Sequence, residues 1–240
     1  MKLSANLGLL WSELPLLERV YKAKEKNFDA VEFQFPYEVD ANELKKAIDK
    51  INLPIIGINT IKGNVSKGDN GLNAVPSRVQ EARSAIDQAI EYAKVIGAKN
   101  IHFMCGITEQ NHNSLKTLVE NLQYAVSQLN DTNIGLVIEP KNQKDFPGYF
   151  LTNVEQAKEI CQLVGNNNVK IMFDFYHVQI SQGNVLTRFK DNFNFIGHVQ
   201  MASVPERNEP IFGELNLSLI HISEPTRPER IAYAGVCLKK

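Results

Sequence analysis

Two carboxylates at the ends of apolar runs are the residues best suited to chemistry in this sequence. Glu139 ends the run GLVIEP, and Asp174 ends the hydrophobic part of KIMFDFYH. A carboxylate at the end of a hydrophobic strand is costly to bury unless it is paired, hydrogen-bonded or bound to a metal. We therefore predict a functional role for both residues.

A third oxygen donor, the side-chain amide of Gln200, lies in the apolar run IGHVQM. Two carboxylates and an amide oxygen form a ligand set suited to a hard divalent cation, Mg²⁺ or Mn²⁺. The sequence has no HExxH, no clustered Cys and His, no GxSxG and no P-loop, so zincins, α/β-hydrolases and P-loop NTPases are disfavoured. We predict that Glu139, Asp174 and Gln200 bind the metal.

Further polar residues occupy similar places on other apolar runs. They are Asn6, Glu32, Gln34, Asn59, His102 and His198. Each has a structural alternative when taken singly, since Asn6 or Gln34 could fill an interior with satisfied hydrogen bonds. His102 is more often a core histidine than a ligand. Their convergence at strand ends is the argument for function.

The elements that would position these residues are alternating strands and helices. Strands are predicted at about residues 2–8, 29–35, 54–60, 99–105, 134–139, 169–174 and 195–201, with helices between them. This order favours an α/β fold, a (β/α)₈ TIM barrel, whose active site lies at the carboxyl ends of the strands. A doubly wound sheet is less favoured, because no GxGxxG follows the first strand.

The amino-acid composition indicates which classes of binding partner are favoured and which are disfavoured. The 240 residues include 26 Lys and Arg against 27 Asp and Glu, a net charge of −1, which offers no footprint for nucleic acid or an anionic membrane. We expect a small-molecule ligand, a cytoplasmic protein with neither a secretory signal nor a membrane span, and reduced thiols at Cys105, Cys161 and Cys237. A homo-oligomer is left open.

Several motifs in one register, from about residue 2 to residue 216, resemble the hydroxypyruvate isomerase family within the xylose isomerase-like TIM-barrel group. They are SANLGLLW, VEFQFPYEVD, VENLQYA, VIEPKNQKDFPGYFLTN, FDFYHVQ and IGHVQMASVPERNEPIFGELN. The resemblance implies that Glu139 is a catalytic acid/base and metal ligand, and that Asp174 and Gln200 are further ligands. It places His177 and Arg207 near the substrate.

The implied reaction interconverts hydroxypyruvate and 2-hydroxy-3-oxopropanoate through a metal-stabilised enediolate. Asn6, Asn59 and His198 are expected to contact this hydroxy/oxo acid. Arg207 is a better candidate than Lys141 to bind the substrate carboxylate, because its planar fork binds both oxygens. Ketose 3-epimerases and endonuclease-like members of the same group are alternatives, and the near-neutral charge disfavours the second.

The carboxyl-terminal segment departs from the family. Members continue through a helix and an eighth strand that brings a second glutamate, the partner acid/base and fourth metal ligand, whereas LSLIHISEPTRP resembles a translated sequencing adapter. We therefore expect one incomplete barrel domain at residues 1–216 and a non-native tail at residues 217–240. The barrel is expected to lack its eighth strand and last helices, and an inactive chain is a further alternative.

Overall fold

Parallel strands alternate with helices along the chain in the computed structural model, which describes residues 2–208, 213–215 and 233–236. The strands are β1 Lys2–Asn6, β2 Ala30–Glu32, β3 Gly57–Asn59, β4 Asn100–His102, β5 Gly135–Ile138, β6 Val169–Asp174, β7 Ile196–Met201 and β8 Tyr233–Val236. The helices are α1 Leu16–Glu25, α2 Ala41–Ile51, α3 Val79–Ile96, α4 His112–Gln128, α5 Val154–Val164, α6 Phe175–Ser181 and α7 Val185–Asn192.

These strands form one sheet that closes on itself. Its order is β2-β1-β8-β7-β6-β5-β4-β3, and every neighbouring pair is parallel. The ends of this order meet where Val31 bridges Ile55 and the Phe33 amide donates to the Gly57 carbonyl over 2.9 Å. The predicted TIM barrel is confirmed, with the seven predicted strands in their predicted places.

The expectation that the eighth strand is missing is wrong. Residues Tyr233–Val236, within the tail predicted to be non-native, pair in parallel with β1 and β7. Leu3 lies opposite Ala234, and Gln200 lies opposite Gly235. Because β8 fills the gap between β1 and β7, neither strand is left as a free edge. The strand contains no glutamate.

Helix ends follow local signals in the sequence. Gly97 and Gly165 end α3 and α5 in the left-handed conformation, with φ of 73° and 70°. The Asn153 side chain caps the start of α5 by accepting from the Gln156 amide. On α3, apolar residues repeat every three or four positions and are buried, including Ala82, Ile86 and Ile90. These caps and stripes determine where each helix begins, ends and packs.

Helix α6 was not predicted. It starts at the residue after β6, and the Asp174 side chain caps it by accepting from the Tyr176 amide over 2.9 Å. Seven residues are too short to show a helical repeat, so periodicity gave no signal. The helix matters because it carries His177 at the carboxyl end of β6.

Cys105 and Cys161 are buried free thiols, as predicted, and Cys237 lies outside the described residues. No helix in the described part of the chain has the length and apolar character needed to cross a membrane.

Candidate active site

A cavity of about 170 Å³ lies at the carboxyl ends of the strands. Of the residues predicted for the site, those lining it are Asn6, Asn59, Glu139, His177, His198, Gln200 and Arg207. Asp174 does not line the cavity but contacts His177 and Arg207, which do. The structure therefore brings all eight predicted residues into one region.

Glu139 follows the last residue of β5 and is 4% exposed. One carboxylate oxygen lies 3.4 Å from Lys141 Nζ and 3.6 Å from His102 Nε2, and the other lies 3.7 Å from His177 Nε2. Burial raises the pKa of Glu139, opposed by the positive charge of Lys141. The group is thus a buried carboxylate whose proton affinity exceeds that of an exposed glutamate, as suits a general base.

Asp174 is fully buried, and each of its two carboxylate oxygens accepts a hydrogen bond from a different group. Oδ1 caps α6, and Oδ2 accepts a hydrogen bond from Arg207 Nη2 over 3.1 Å. Burial raises the pKa of Asp174, and the adjacent guanidinium of Arg207 opposes the shift. Arg207 follows β7 with φ of 56°, a conformation that non-glycine residues adopt rarely.

His177 presents a defined ring nitrogen to these carboxylates. Its Nδ1 atom lies 2.7 Å from Asn142 Nδ2 and accepts from the Asn142 backbone amide over 3.4 Å. The backbone and side-chain N–H groups of Asn142 donate to Nδ1, while Nε2 lies 3.3 Å from Arg207 Nη2, a group that also only donates. Burial, followed by the charge of Arg207, lowers the pKa of His177 well below its usual value. The ring therefore stays neutral, and its Nε2 atom faces Glu139, Asp174 and Arg207.

Glu139, Asp174 and His177 form a cluster in which one potential ligand atom from each residue lies within 4.8 Å of the others. All three are buried, and the pKa of Glu139 is raised first by burial and also by the charge of Asp174. Two mutually repelling carboxylates in a dry site fit a bound cation, which would relieve the repulsion. Carboxylate oxygens suit a hard ion such as Mg²⁺ or Mn²⁺.

Gln200 lines the same cavity and is held in place by Glu32. Glu32 was among the strand-end residues identified from the sequence, but no partner was predicted for it. Gln200 Nε2 donates to Glu32 Oε1 over 2.9 Å. The other Glu32 oxygen lies 2.6 Å from His198 Nε2. Because Gln200 Nε2 donates to Glu32, the amide oxygen of Gln200 is turned away from Glu32 and is left to act as a ligand.

The remaining polar residues line the wall around this centre. Asn59 Oδ1 lies 3.3 Å from His102 Nδ1, and Asn6 Oδ1 accepts from the Gly8 amide over 3.1 Å. His102 Nε2 is buried and has no hydrogen-bond partner within the described residues. Burial lowers the pKa of His102 well below its usual value, so this ring is neutral and can accept a hydrogen bond from a ligand hydroxyl.

Residues 20–220 match the model of a family described as the xylose isomerase-like TIM barrel. A 2-oxo-tetronate isomerase from Cupriavidus necator is 40% identical over 218 residues, which are 90% of this chain and 84% of that protein. A hydroxypyruvate isomerase from Escherichia coli strain K12 is 39% identical over 222 residues, 90% of this chain and 85% of that protein.

Solved structures agree on the fold. The crystal structure of a family 2 AP endonuclease from Brucella melitensis superposes with a TM-score of 0.93 at 33% identity, covering 100% of this chain and 93% of that one. A D-psicose 3-epimerase from Clostridium cellulolyticum superposes with a TM-score of 0.80 at 15% identity, covering 99% and 85%. The second likeness shows the barrel alone.

Proposed function

The chain belongs to the xylose isomerase-like TIM barrel family, and we propose that it is an isomerase that interconverts hydroxypyruvate and 2-hydroxy-3-oxopropanoate. The observation that carries the proposal is the buried Glu139 carboxylate, which contacts two neutral histidines at the cavity. Two curated relatives at 39–40% identity are named isomerases of short hydroxy-oxo acids.

The proposed reaction moves one proton between adjacent carbons. Glu139 removes a proton from C3 of hydroxypyruvate, which leaves an enediolate, and returns it to C2 to form the aldehyde product. A hydroxyl proton moves from the C3 oxygen to the C2 oxygen in the same exchange. His177 Nε2 lies 3.7 Å from Glu139 at the cavity, which places the neutral ring beside the substrate oxygens where negative charge develops.

A divalent cation fits the cluster of Glu139, Asp174 and His177 together with the Gln200 oxygen. We propose that Glu139, Asp174 and Gln200 are its ligands, with the neutral ring of His177 beside them. When bound, the cation would act as a Lewis acid for the substrate oxygens. Asp174 and Arg207 also orient one another through their 3.1 Å contact, next to the Nε2 atom of His177.

One carboxylate is enough for this transfer. A proton shift between neighbouring carbons can occur on one face of the substrate, whereas inversion at a single carbon needs an acid and a base on opposite faces. The second glutamate expected from the family is absent from β8, because Tyr233–Val236 contains none. Within the described residues, Glu139 is the carboxylate placed as the base and no glutamate of β8 accompanies it, which favours isomerisation over ketose 3-epimerisation.

Nuclease activity is disfavoured despite the similarity to the Brucella AP endonuclease. Nucleic-acid sites depend on many Lys and Arg contacts to phosphate, while this chain has a net charge of −1. The metal cluster also contains a single histidine among its three members.

A substrate panel tests the proposal. The full 240-residue chain is incubated with Mg²⁺ or Mn²⁺ and hydroxypyruvate, 2-oxo-tetronate, D-fructose or DNA with an abasic site, and products are identified by NMR or gel electrophoresis. We expect conversion of hydroxypyruvate, with exchange of solvent deuterium into the product. Turnover of fructose or DNA without turnover of either acid would refute the proposal.

A further inference from the structure

Three cationic side chains line the cavity, and two of them already face carboxylates. Arg207 donates to Asp174, and Lys141 Nζ lies 3.4 Å from Glu139. Lys62 also lines the cavity, yet no carboxylate of the described residues lies within ion-pair distance of its ammonium. The cavity therefore presents one cation that no acidic group of the described chain neutralises.

Lys62 is held at this wall by its surroundings. It lies three residues beyond the end of β3, and its ammonium lies 5.0 Å from the centre of the Phe35 ring. Its carbonyl accepts from the Gly71 amide over 2.8 Å, which joins the two ends of the loop. Burial, and then the charge of Lys141, lowers the pKa of Lys62, so an anion at this position would be stabilised by both cations.

A second polar group of the same loop also lacks a partner. Asn70 is 9% exposed and lines the cavity, and its Oδ1 atom has no hydrogen-bond partner in the part of the chain that the structure describes. Burying an amide oxygen without a hydrogen bond is costly, so buried amides normally have partners. The loop thus offers a cation for an anionic group and an acceptor for a hydroxyl.

We propose that Lys62 binds the substrate carboxylate and so selects hydroxy-oxo acids over uncharged ketoses, with Asn70 accepting from a substrate hydroxyl. The inference rests on the proposed function in one respect, which is that the substrate binds and reacts in this cavity. It places the carboxylate contact at Lys62 rather than at Arg207, where the sequence prediction put it, because the charge of that guanidinium is already paired with Asp174.

Binding of an unreactive acid tests the site without turnover. D-Glycerate carries the carboxylate and the C3 hydroxyl of hydroxypyruvate, with a second hydroxyl in place of the ketone, and glycerol is its uncharged counterpart. Titration calorimetry is made on the wild-type chain, on Lys62→Met, which keeps an apolar stem against Phe35, and on Lys62→Arg, which keeps the charge. Lys67→Met is the matched control, because Lys67 belongs to the same loop and is exposed.

We expect Lys62→Met to weaken glycerate binding about 10- to 100-fold, as loss of a charge-assisted hydrogen bond does. Lys62→Arg should recover part of the affinity, and Lys67→Met should match the wild type. Thermal melts establish that each variant is folded. Unchanged glycerate affinity in folded Lys62→Met, or no glycerate binding by the wild type, would overturn the inference.

Kinetics separate the inference from the proposed function. In Lys62→Met, KM for hydroxypyruvate should rise far more than kcat falls, while any activity on uncharged dihydroxyacetone stays the same. A wild-type chain that isomerises neither compound, yet binds glycerate through Lys62, would refute the proposed function and support the anion site. If the wild type isomerises hydroxypyruvate and Lys62→Met leaves the KM unchanged, the proposed function is supported and the anion site at Lys62 is refuted.

Discussion

His198 Nε2 lies 2.6 Å from Oε2 of Glu32, although 166 positions separate the two residues in the chain. The pair joins β2 to β7 across the barrel interior. The other oxygen of the carboxylate accepts from Gln200 two residues further along β7. Glu32 thus orients two consecutive inward-facing residues of β7, including one proposed metal ligand.

Glu32→Gln should weaken metal binding about 10- to 100-fold, the usual effect of removing a group that orients a ligand. An amide has one acceptor oxygen where the carboxylate has two, so His198 and Gln200 cannot both keep their present hydrogen bonds, and the Gln200 amide loses its fixed direction. Mn²⁺ affinity measured by calorimetry, together with a thermal melt, checks this. Glu38→Gln, at a position after β2 outside the cavity, is the control. Wild-type Mn²⁺ affinity in a folded Glu32→Gln would show that the pair has no role in the metal site.

Glu139→Gln should abolish isomerisation while the fold persists. The substitution keeps the volume and one oxygen, but an amide cannot take a proton from carbon, and loss of a general base costs on the order of 10²–10⁴-fold. Initial rates with hydroxypyruvate and circular dichroism measure the two effects. Glu120→Gln, on the exposed face of α4, should leave the rate unchanged. Wild-type turnover by the Glu139 variant would remove this residue from the mechanism.

Metal binding should make thermal stability depend on pH with a defined sign. Burial raises the pKa of Glu139 and of Asp174, so the folded chain holds protons there that the unfolded chain has released. Without metal, the stability contributed by these groups is complete below the ordinary carboxyl pKa and is lost as pH rises through the raised values. A divalent cation needs the deprotonated groups, so its stabilising effect should grow over the same window.

Melting curves with EDTA and with Mg²⁺ or Mn²⁺ measure this difference. At about 100-fold excess over Kd, ligand binding contributes about 2.7 kcal/mol, a rise in Tm of about 5–10 °C for a domain of this size. The rise should shrink as pH falls and should be largely absent in Asp174→Asn. Asp191→Asn, at an exposed position in α7, is the control. A pH-independent shift, or the same shift in Asp174→Asn, would contradict the assignment of these ligands.

Sequence reasoning predicted the parts of the site that depend on strand order. Glu139 and Asp174 were identified because charge at the end of an apolar run is costly, and carboxyl ends of parallel strands share one face. The partners of Glu32 were not predictable, because parity shows which residues face inward but not which of them touch across a barrel. One feature of the sequence could have indicated a role for Lys62, namely a positive charge three residues beyond the third strand.

The prediction for the carboxyl-terminal segment, residues 217–240, differed most from the structure. Its adapter-like residues matched no family motif, so no strand was expected, yet the short run YAGV occupies the gap between β1 and β7. A parallel strand buried in a barrel requires mainly extended backbone and small or apolar residues, which the run YAGV supplies.

A chain ending at Ala232 should be less stable and more prone to self-association than a chain ending at Val236. The longer form retains β8, which pairs with Lys2–Ala5 of β1 and Val199–Met201 of β7. Removing it leaves two edges of unpaired N–H and C=O groups, each lost hydrogen bond costing about 1 kcal/mol, and exposes the edges to pairing with other chains. We expect Tm to fall by at least about 5 °C and light scattering to detect oligomers. Equal melting temperatures and a monomeric shorter chain would show that β8 does not contribute to the barrel.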